Sequence, residues 1–445
     1  MRIDIALFDT VMESYRAIGA PDRVLLGLSG GADSLALLFI LLEIGKEQGF
    51  SLDCVHVNHH LRDESDAEAE WLASLMNKLA VPLKVMDAKV PAGGNLEAQA
   101  RQVRYEAFQH AMSLTHTDVL ALAHHANDQA ETMLMRLMHG TGTTGLSAMR
   151  ELTGHVWRPL IHTPKEHLVA LLRQRGQRWI EDMSNQDTRF LRNAIRQRIT
   201  PALDELSPGS IIRMASTAKL LGDEEAAWTV FEDRWLSHHA SLCPPMVFLK
   251  RSPFMREPLA FRRRLVRRLC AVYSVALDRT QTDAICALPN TGKTSTMNLP
   301  AGAYALVTEA RLHILPASYE GIPEPSLGQI DIALNMRGMG DGKRLQAFDE
   351  DKLAGSVLRY AMPGDRIIPL GMDGSQSLTK YLSDRKVDKP FRRWWPLLAR
   401  ENTVLWVIGL GMAQTAAITG ETRNRICYFF RGALPGDLSN GMGEQ

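Results

Sequence analysis

The sequence predicts an α/β fold: a doubly wound parallel sheet, followed by a mostly helical domain and a small α+β C-terminal domain. Three observations carry this reading. Short apolar runs alternate with amphipathic helical stretches as far as about residue 140, and repeated β-α units build parallel sheets. One run, Val24 to Leu28, breaks at Ser29-Gly30-Gly31-Ala32-Asp33-Ser34 and is followed by the apolar stretch Leu35 to Leu42, which reads as strand, tight glycine turn and helix. Beyond about Pro208 the alternation stops and the chain becomes helical, irregular and locally rich in arginine.

The glycine turn is the most informative segment. Adjacent glycines reach backbone angles closed to other residues and let the main chain approach a ligand. The following N–H groups then face outward at a helix N-terminus, where the dipole favours an anion. Ser29 and Ser34 add hydroxyl donors. Such a loop, Ser29, Gly30, Gly31, Ala32, Asp33 and Ser34, holds phosphate. It is not a Walker A loop, which needs Gly-Lys-Ser/Thr, nor a Gly-x-Gly-x-x-Gly turn.

The later elements follow in order. Leu52–Val57 reads as a strand and Ser65–Leu79 as an amphipathic helix, with Leu72, Leu75, Met76 and Leu79 at helical spacing. Leu83–Met86 is a short strand, and Asn95–Leu114 a helix with Asn95 as N-cap. Asp118–Ala123 is a strand, and Asn127–Met138 a helix ending at Gly140. Ligands of such sheets bind beyond the carboxyl ends of the strands, where the glycine loop and the segments after Val57 and Ala123 all fall. Pro164 to about Ser207 extends this domain with helices. Short β structure is expected at Leu299–Gly302 and Tyr304–Ile314, a linker over Asn335–Lys352, and a last small domain from Arg359 to about Phe430 with a strand at Val404–Ile408. The domain boundaries expected are 1–207, 208–345 and 355–435.

Bulk composition narrows the class. A chain of 445 residues exceeds one ordinary domain. Lys+Arg 51 against Asp+Glu 50 leaves a net charge of +1, so any nucleic-acid surface must be local. The five cysteines are scattered, with no C-x-x-C pair, which argues against a zinc site or a disulfide framework. The apolar run Leu35–Leu42 stops at Glu43, far short of the roughly 20 residues of a membrane span. The start lacks the apolar core of a secretory signal. A cytoplasmic protein without membrane contact is expected.

Several polar constellations stand beyond the strands. His56-Val57-Asn58-His59-His60-Leu61-Arg62 follows the second strand, and Arg62 could oppose phosphate charge. Glu97 and Arg101 are i,i+4 partners, and Arg101 shares a helix face with Arg104. In His124-His125-Ala126-Asn127-Asp128-Gln129-Ala130-Glu131-Thr132, Asp128 and Glu131 stand one turn apart on one face. They suit an ammonium ion, and Asp128-x-x-Glu131 equally suits helix capping. Glu181–Asp187 and Arg192-Asn193-x-x-Arg196 form a further polar cluster. Asn290-Thr291-Gly292-Lys293-Thr294 mimics the end of a Walker A loop, but Ala287 stands where its first glycine is required.

Together these segments resemble the tRNA(Ile)-lysidine synthetases of the PP-loop ATP-pyrophosphatase superfamily. The resemblance runs through Ser29–Ser34, His59–Arg62, Glu97 with Ala100-Arg101 and Arg104-Tyr105, His124–Thr132, Gly140-Thr141-Gly142 with Gly145-Leu146, Arg158-Pro159-Leu160 and Asp182–Arg196. It resumes at Pro363–Met372 and Lys386-Val387. It covers nearly the whole chain and is weakest from about 210 to 350. Two positions depart from the family pattern: Asn127 stands where Asp is common, and Met183 where Pro is usual.

The resemblance implies a ligase. ATP and Mg²⁺ would adenylate the 2-carbonyl oxygen of the wobble cytidine in a tRNA(Ile) with a CAU anticodon, and the amine of L-lysine would displace AMP. The base becomes lysidine, codon reading changes from AUG to AUA, and the tRNA accepts isoleucine instead of methionine. Residue by residue, Asp33, Asp128 and Glu131 would be catalytic, with Asp33 also at the metal. The loop Ser29–Ser34 and Arg101 would bind ATP. His60, Arg62, Arg104, His125, Asp128 and Glu131 would meet lysine and cytidine. Lysine's amine, with a reference pKa of about 10.4, arrives protonated, so the site must hold a cation and take its proton.

RNA contacts are expected from Arg192 and Arg196, from Arg264, Arg267 and Arg268 within Phe261–Leu269, and from Lys380 and Lys386 near Arg385, Arg392, Arg393, Trp394 and Trp395. A monomer or homodimer fits. The rival readings are a PP-loop tRNA thiolase, whose known kinds often use paired cysteines, an ammonia-dependent ATP-pyrophosphatase acting on a small molecule, and a non-catalytic RNA-binding protein with a relic nucleotide fold.

Overall fold

The computed structural model describes residues 5–58, 60, 65–88, 96–181, 187–288, 294–333 and 338–437. The chain divides into two compact units, Met1–Trp228 and Thr229–Gln445.

In the first unit, helix α1 (Ile5–Ala17) precedes β1 (Arg23–Gly27), α2 (Ala32–Gln48), β2 (Ser51–Asn58), α3 (Ser65–Leu79), β3 (Leu83–Asp87), α4 (Leu96–Thr115), β4 (Val119–Ala121) and α5 (Ala126–His139). The short α6 (Thr143–Leu146) leads to β5 (Leu152–Thr153), β6 (Val156–Trp157) and α7 (Lys165–Gln174). The sheet has the order β3-β2-β1-β4-β6-β5. All pairings are parallel except that of β5 with β6.

The side-chain alternation of β1 explains the double winding. Val24 and Leu26 pack into the cluster that holds α1, α2 and α7, whereas Leu25 joins Phe108 and Ala111 of α4 on the other face. Helix α2 is buried nearly all round, from Ser34 to Leu41, because it lies between the sheet and α1 and α7. The expected cap Asn95 lies outside the described residues.

Beyond β6 and α7, α8 (Leu191–Ala194) continues through a π-helical turn, Ile195–Ile199, into α9 (Thr200–Leu206). Helix α10 (Ser210–His239) then carries the chain from the first unit into the second.

In the second unit, β7 (Ala240–Cys243), β8 (Met246–Lys250), β9 (Ser295–Asn298), β10 (Tyr304–Val307) and β11 (Arg311–Leu315) form an antiparallel sheet of order β7-β8-β11-β10-β9. It packs on α12 (Leu259–Ala271) and α13 (Arg279–Ala287), with α11 (Arg251–Arg256) at its edge. The helical middle segment therefore also carries a sheet; the expected β structure at Tyr304–Ile314 lies in it, whereas Leu299–Gly302 is instead a 3₁₀ turn over Pro300–Gly302, started by its proline.

The strands β12 (Gln329–Ile332), β13 (Leu345–Asp349) and β20 (Arg425–Arg431) form a three-stranded sheet. This corrects the expected linker over Asn335–Lys352. Its first part, 335–337, lies outside the described residues, but Leu345–Asp349 is a buried strand, with Phe348 against Trp406 at 5.5 Å between ring centres. Gly340, at φ +92°, turns the chain into it.

The remaining elements are β14 (Val357–Tyr360), β15 (Arg366–Ile367), β16 (Gln376–Ser377), α14 (Leu378–Asp384), α15 (Lys389–Arg392), β17 (Pro396–Arg400), β18 (Thr403–Val407) and β19 (Gly411–Met412). Their sheet runs β14-β17-β18-β15-β16, with β19 on β18. Of the five cysteines, all free, Cys243 is exposed and Cys54, Cys270, Cys286 and Cys427 are buried. Among the described residues no helix is long and apolar enough to cross a membrane.

Candidate active site

The glycine loop is a pinned turn between β1 and α2. Gly30 sits at φ +83°, and a Cβ there would lie 2.5 Å from Ile180 Cδ1. The Ile180 N–H donates to the Gly30 carbonyl at 2.9 Å; it is the left-handed backbone angle that calls for glycine here. Ser34 Oγ accepts from the Ser29 N–H at 3.2 Å and donates to the Gly31 carbonyl at 3.0 Å. The Gly31 N–H donates to Ser29 Oγ at 3.3 Å. The two hydroxyls thus hold the loop's shape. No side chain caps the N-terminus of α2, which leaves its first-turn N–H groups for an anion.

Helix α5 brings its acidic face to the same strand ends. His125 is its N-cap, and the His125 N–H donates to Asp128 Oδ2 at 3.0 Å. The His125 ring bridges two carboxylates, with Nε2 3.4 Å from Asp33 Oδ2 and 3.5 Å from Asp128 Oδ2. Asp33, Asp128 and His125 are therefore one cluster, and Glu131 joins it through shared arginines. Asn127, where the family commonly has Asp, caps α7: its Oδ1 accepts from the Lys165 N–H at 3.2 Å. That contact holds Lys165, whose Nζ lies 3.9 Å from Asp33 Oδ2. Sequence reasoning missed Lys165 and Ile180, because nothing local marks residues that reach the loop from far along the chain.

Arg192 and Arg196 lie elsewhere than expected. Arg192 Nε donates to Glu131 Oε2 at 2.8 Å and its Nη2 to Asp128 Oδ1 at 2.9 Å. Arg196 Nε donates to Glu131 Oε1 at 2.6 Å, and its Nη2 reaches Asp128 Oδ1 at 3.2 Å and Glu131 Oε2 at 2.9 Å. Placed as RNA contacts from sequence, both instead engage the two carboxylates of α5. The physical reason is burial: Glu131 is 2% exposed, and a buried carboxylate must be paired.

The electrostatics follow from this packing. Burial would raise the Asp128 carboxyl, but His125, Arg192 and His124 beside it, with the His125 N–H, hold it down at about 2. Burial lowers the His125 imidazole, yet Asp128 and Asp33 more than offset this and its pKa is raised. His124 is driven down to about 4, first by burial; Asp128 opposes this, and Arg158, Arg192 and Arg101 add to it. It is a neutral imidazole at pH 7. Among the described residues, buried Asp33 Oδ1, His124 Nδ1 and His125 Nδ1 have no hydrogen-bond partner. An unpartnered carboxylate oxygen on Asp33 fits a hard cation. Among the described residues no group of three His, Cys, Asp or Glu side chains could hold a metal by itself.

The other expected residues are dispersed. Arg101 is exposed and lies over the Tyr105 ring at 5.1 Å, and Arg104 is exposed nearby on α4. His60, at φ +50°, joins Asp66 at 3.0 Å to Asp87 at 2.8 Å, so its ring ties the start of α3 to the end of β3. Arg62 and residues 182–186 lie outside the described residues, as does the false Walker segment 290–293.

The arginine-rich run is not a free basic face. Arg264 Nε pairs with Glu232 of α10, and Arg268 with Glu232 at 3.3 Å and Asp233 at 2.6 Å. Arg264 and Arg268 are one turn apart and meet acidic residues of α10, while Arg267 remains exposed. Lys380 and Lys386 are exposed, the latter 3.4 Å from Glu309. Trp394 and Trp395 are buried, at 5% and 7% exposure, and belong to the domain interior.

Comparison with known proteins identifies the family. Residues 8–203 match the PP-loop domain family, and residues 357–428 the TilS substrate C-terminal domain family. The chain is 33% identical to the tRNA(Ile)-lysidine synthase of Geobacter sulfurreducens, over 95% of this chain and 98% of that one. It is 32% identical to that of Symbiobacterium thermophilum, over 87% and 90%. It is 31% identical to that of Pseudomonas syringae pv. tomato, over 86% and 88%. An ATP-using loop, a carboxylate cluster at the same sheet edge and similarity along nearly the full chain lead to one conclusion: the chain belongs to the tRNA(Ile)-lysidine synthase family.

Proposed function

We propose that this enzyme joins L-lysine to the 2-position of the wobble cytidine of a tRNA(Ile) bearing a CAU anticodon, through an adenylated cytidine, with ATP giving AMP and pyrophosphate. The observation that carries this reading is the juxtaposition of Asp33 at the start of α2 with Asp128 on α5, bridged by His125. It supports a reading in which an ammonium-binding face stands beside a phosphate-binding loop.

The loop residues Ser29–Ser34 hold the β and γ phosphates, and Asp33 Oδ1 would hold a Mg²⁺ that neutralises charge on the departing pyrophosphate. Asp128 and Glu131 receive the lysine ammonium. Every oxygen of these two carboxylates already has a donor, from Arg192, Arg196 or the His125 N–H. The ammonium therefore takes over one of those bonds. Asp128, held at about 2, binds the cation and is a poor proton acceptor. His125, with its raised pKa and unpartnered Nδ1, is the better-matched base. Arg101 and Arg104 on α4 serve ATP and cytidine. His60 acts through the geometry of the strand ends. Exposed Arg267, Lys380 and Lys386 meet RNA phosphates, and the enzyme works in the cytoplasm.

The test is transfer of labelled lysine to tRNA transcripts carrying C or U at the wobble position, with pyrophosphate followed in parallel. Transfer to the C transcript alone, with pyrophosphate release requiring tRNA, is expected. Release without tRNA, or incorporation of sulfur, would overturn the reading.

A further inference from the structure

Helix α10 grips the segment that follows α5 with one buried carboxylate. Glu225 is 2% exposed. Its Oε1 accepts from Thr143 Oγ1 at 3.0 Å and its Oε2 from Thr144 Oγ1 at 2.9 Å. Both threonines stand at the start of α6, in the turn Gly140-Thr141-Gly142-Thr143-Thr144-Gly145, a motif that no step of the reaction uses. The turn is tightly closed, since a Cβ on Gly145 would lie 1.7 Å from Thr141 Oγ1.

The turn and the residues after it are fastened to α5 at two side chains, Arg136 and Gln129. Arg136 Nη1 donates to the carbonyls of Gly145 at 2.7 Å and Ala148 at 2.8 Å. Gln129, 1% exposed, exchanges two hydrogen bonds with the Met149 backbone: its Nε2 donates to the carbonyl at 2.7 Å, and its Oε1 accepts from the N–H at 2.8 Å. Gln129 directly follows Asp128. An unbroken set of hydrogen bonds thus runs from Glu225 through Thr143 and Thr144 to the turn, and from the turn to the helix that carries Asp128 and Glu131. A buried carboxylate is retained only where it is paired, and here each oxygen accepts from a threonine of this turn.

We propose that Glu225 is a positioning residue for the lysine step: through Thr143 and Thr144 it sets the pose of α5, and with it the carboxylates that receive the ammonium. The proposal rests on the reading that lysine binds at Asp128 and Glu131. Because the phosphate loop hangs from β1 and α2 instead, adenylation and lysine transfer should separate. Misplacing catalytic groups by about 1 Å costs about a hundredfold in rate, and a loosened helix costs less.

The experiment uses the full-length enzyme and tRNA transcript, and measures tRNA-dependent ATP–pyrophosphate exchange beside the KM and kcat for lysine. Glu225→Ala should raise the lysine KM about tenfold and leave exchange within about twofold. Thr143→Val/Thr144→Val should reproduce this split if Glu225→Ala does not fold. Glu225→Gln, which keeps one acceptor oxygen, should recover part of the loss. Asp128→Asn is the control. If it raises the lysine KM and neither Glu225→Ala nor the threonine pair does, the positioning role is overturned and the lysine site stands. If Asp128→Asn leaves the lysine KM unchanged, the lysine site itself is wrong. Equal loss of exchange and lysine transfer in the Glu225 and threonine variants would also overturn the proposal, because that is what a merely structural contact predicts.

Discussion

Arg192 donates to Glu131 at 2.8 Å from a position 61 residues further along the chain. Its second nitrogen reaches Asp128, so one guanidinium spans both carboxylates of α5. The acidic face is therefore already cation-loaded before any substrate arrives. Glu131→Gln should leave two guanidiniums short of charge, lowering stability by about 1–3 kcal/mol and lysine transfer by about two orders of magnitude. Thermal unfolding and labelled-lysine transfer check the two effects separately.

Acid should unfold this enzyme in two stages. His124 is pushed from its ordinary value near 6.5 down to about 4. Between these values the unfolded chain binds the extra proton, so stability rises with pH across that window and falls as pH drops from 6.5 to 4, by about 3 kcal/mol at most. Asp128, depressed to about 2, contributes stability that is fully present above pH 4 and is lost as pH falls through 2. His124→Gln should flatten the upper limb of a denaturant-measured stability profile and keep the lower one.

Gly30→Ala should abolish pyrophosphate release. The φ of +83° strains any side chain, and the new methyl would press on Ile180 at 2.5 Å. Strain of about 1–2 kcal/mol is expected from the angle alone, before the contact with Ile180. A melting temperature above the wild-type value would contradict this.

The basic residues should divide into two kinds. Neutralising exposed Lys380, Lys386 and Arg267 should weaken tRNA binding and lower the slope of log affinity against log salt by about 1 each. Arg264→Ala leaves the buried Glu232 carboxylate with Arg268 at 3.3 Å in place of two guanidiniums. It should destabilise the second unit and leave the salt slope nearly unchanged. Binding titrations over a salt series, beside thermal unfolding, separate the two.

The parts of the fold that were legible are those written locally. Ser65–Leu79 was placed to the residue because periodic leucines and a serine start coincide. The parallel sheet followed from alternation alone. The β7–β8 hairpin was not legible, because Cys243-Pro244-Pro245 hides two short strands. Residues 345–349 were taken for linker because the three preceding glycines dominate the composition, although they only turn the chain into a buried strand. In the site, each loop announced its own residues. Their pairing was hidden: the arginines that hold Asp128 and Glu131 look, in sequence, like any solvated basic helix. The same local view made Arg264 and Arg268 a patch and set Trp394 beside a second one, when α10 and the domain interior occupy them.

The distribution of thiols makes the second unit chemically addressable. Cys243 is exposed, whereas Cys270 and Cys286 are buried and their thiols pushed up to about 12 and about 11, chiefly by that burial. Cys54 and Cys427 are buried too. A maleimide dye at neutral pH should therefore attach at one place on the native protein and at five in denaturant. The wild-type chain carries its own labelling handle at the β7–β8 turn, so arrival of tRNA at the second unit can be followed by fluorescence without engineering a cysteine.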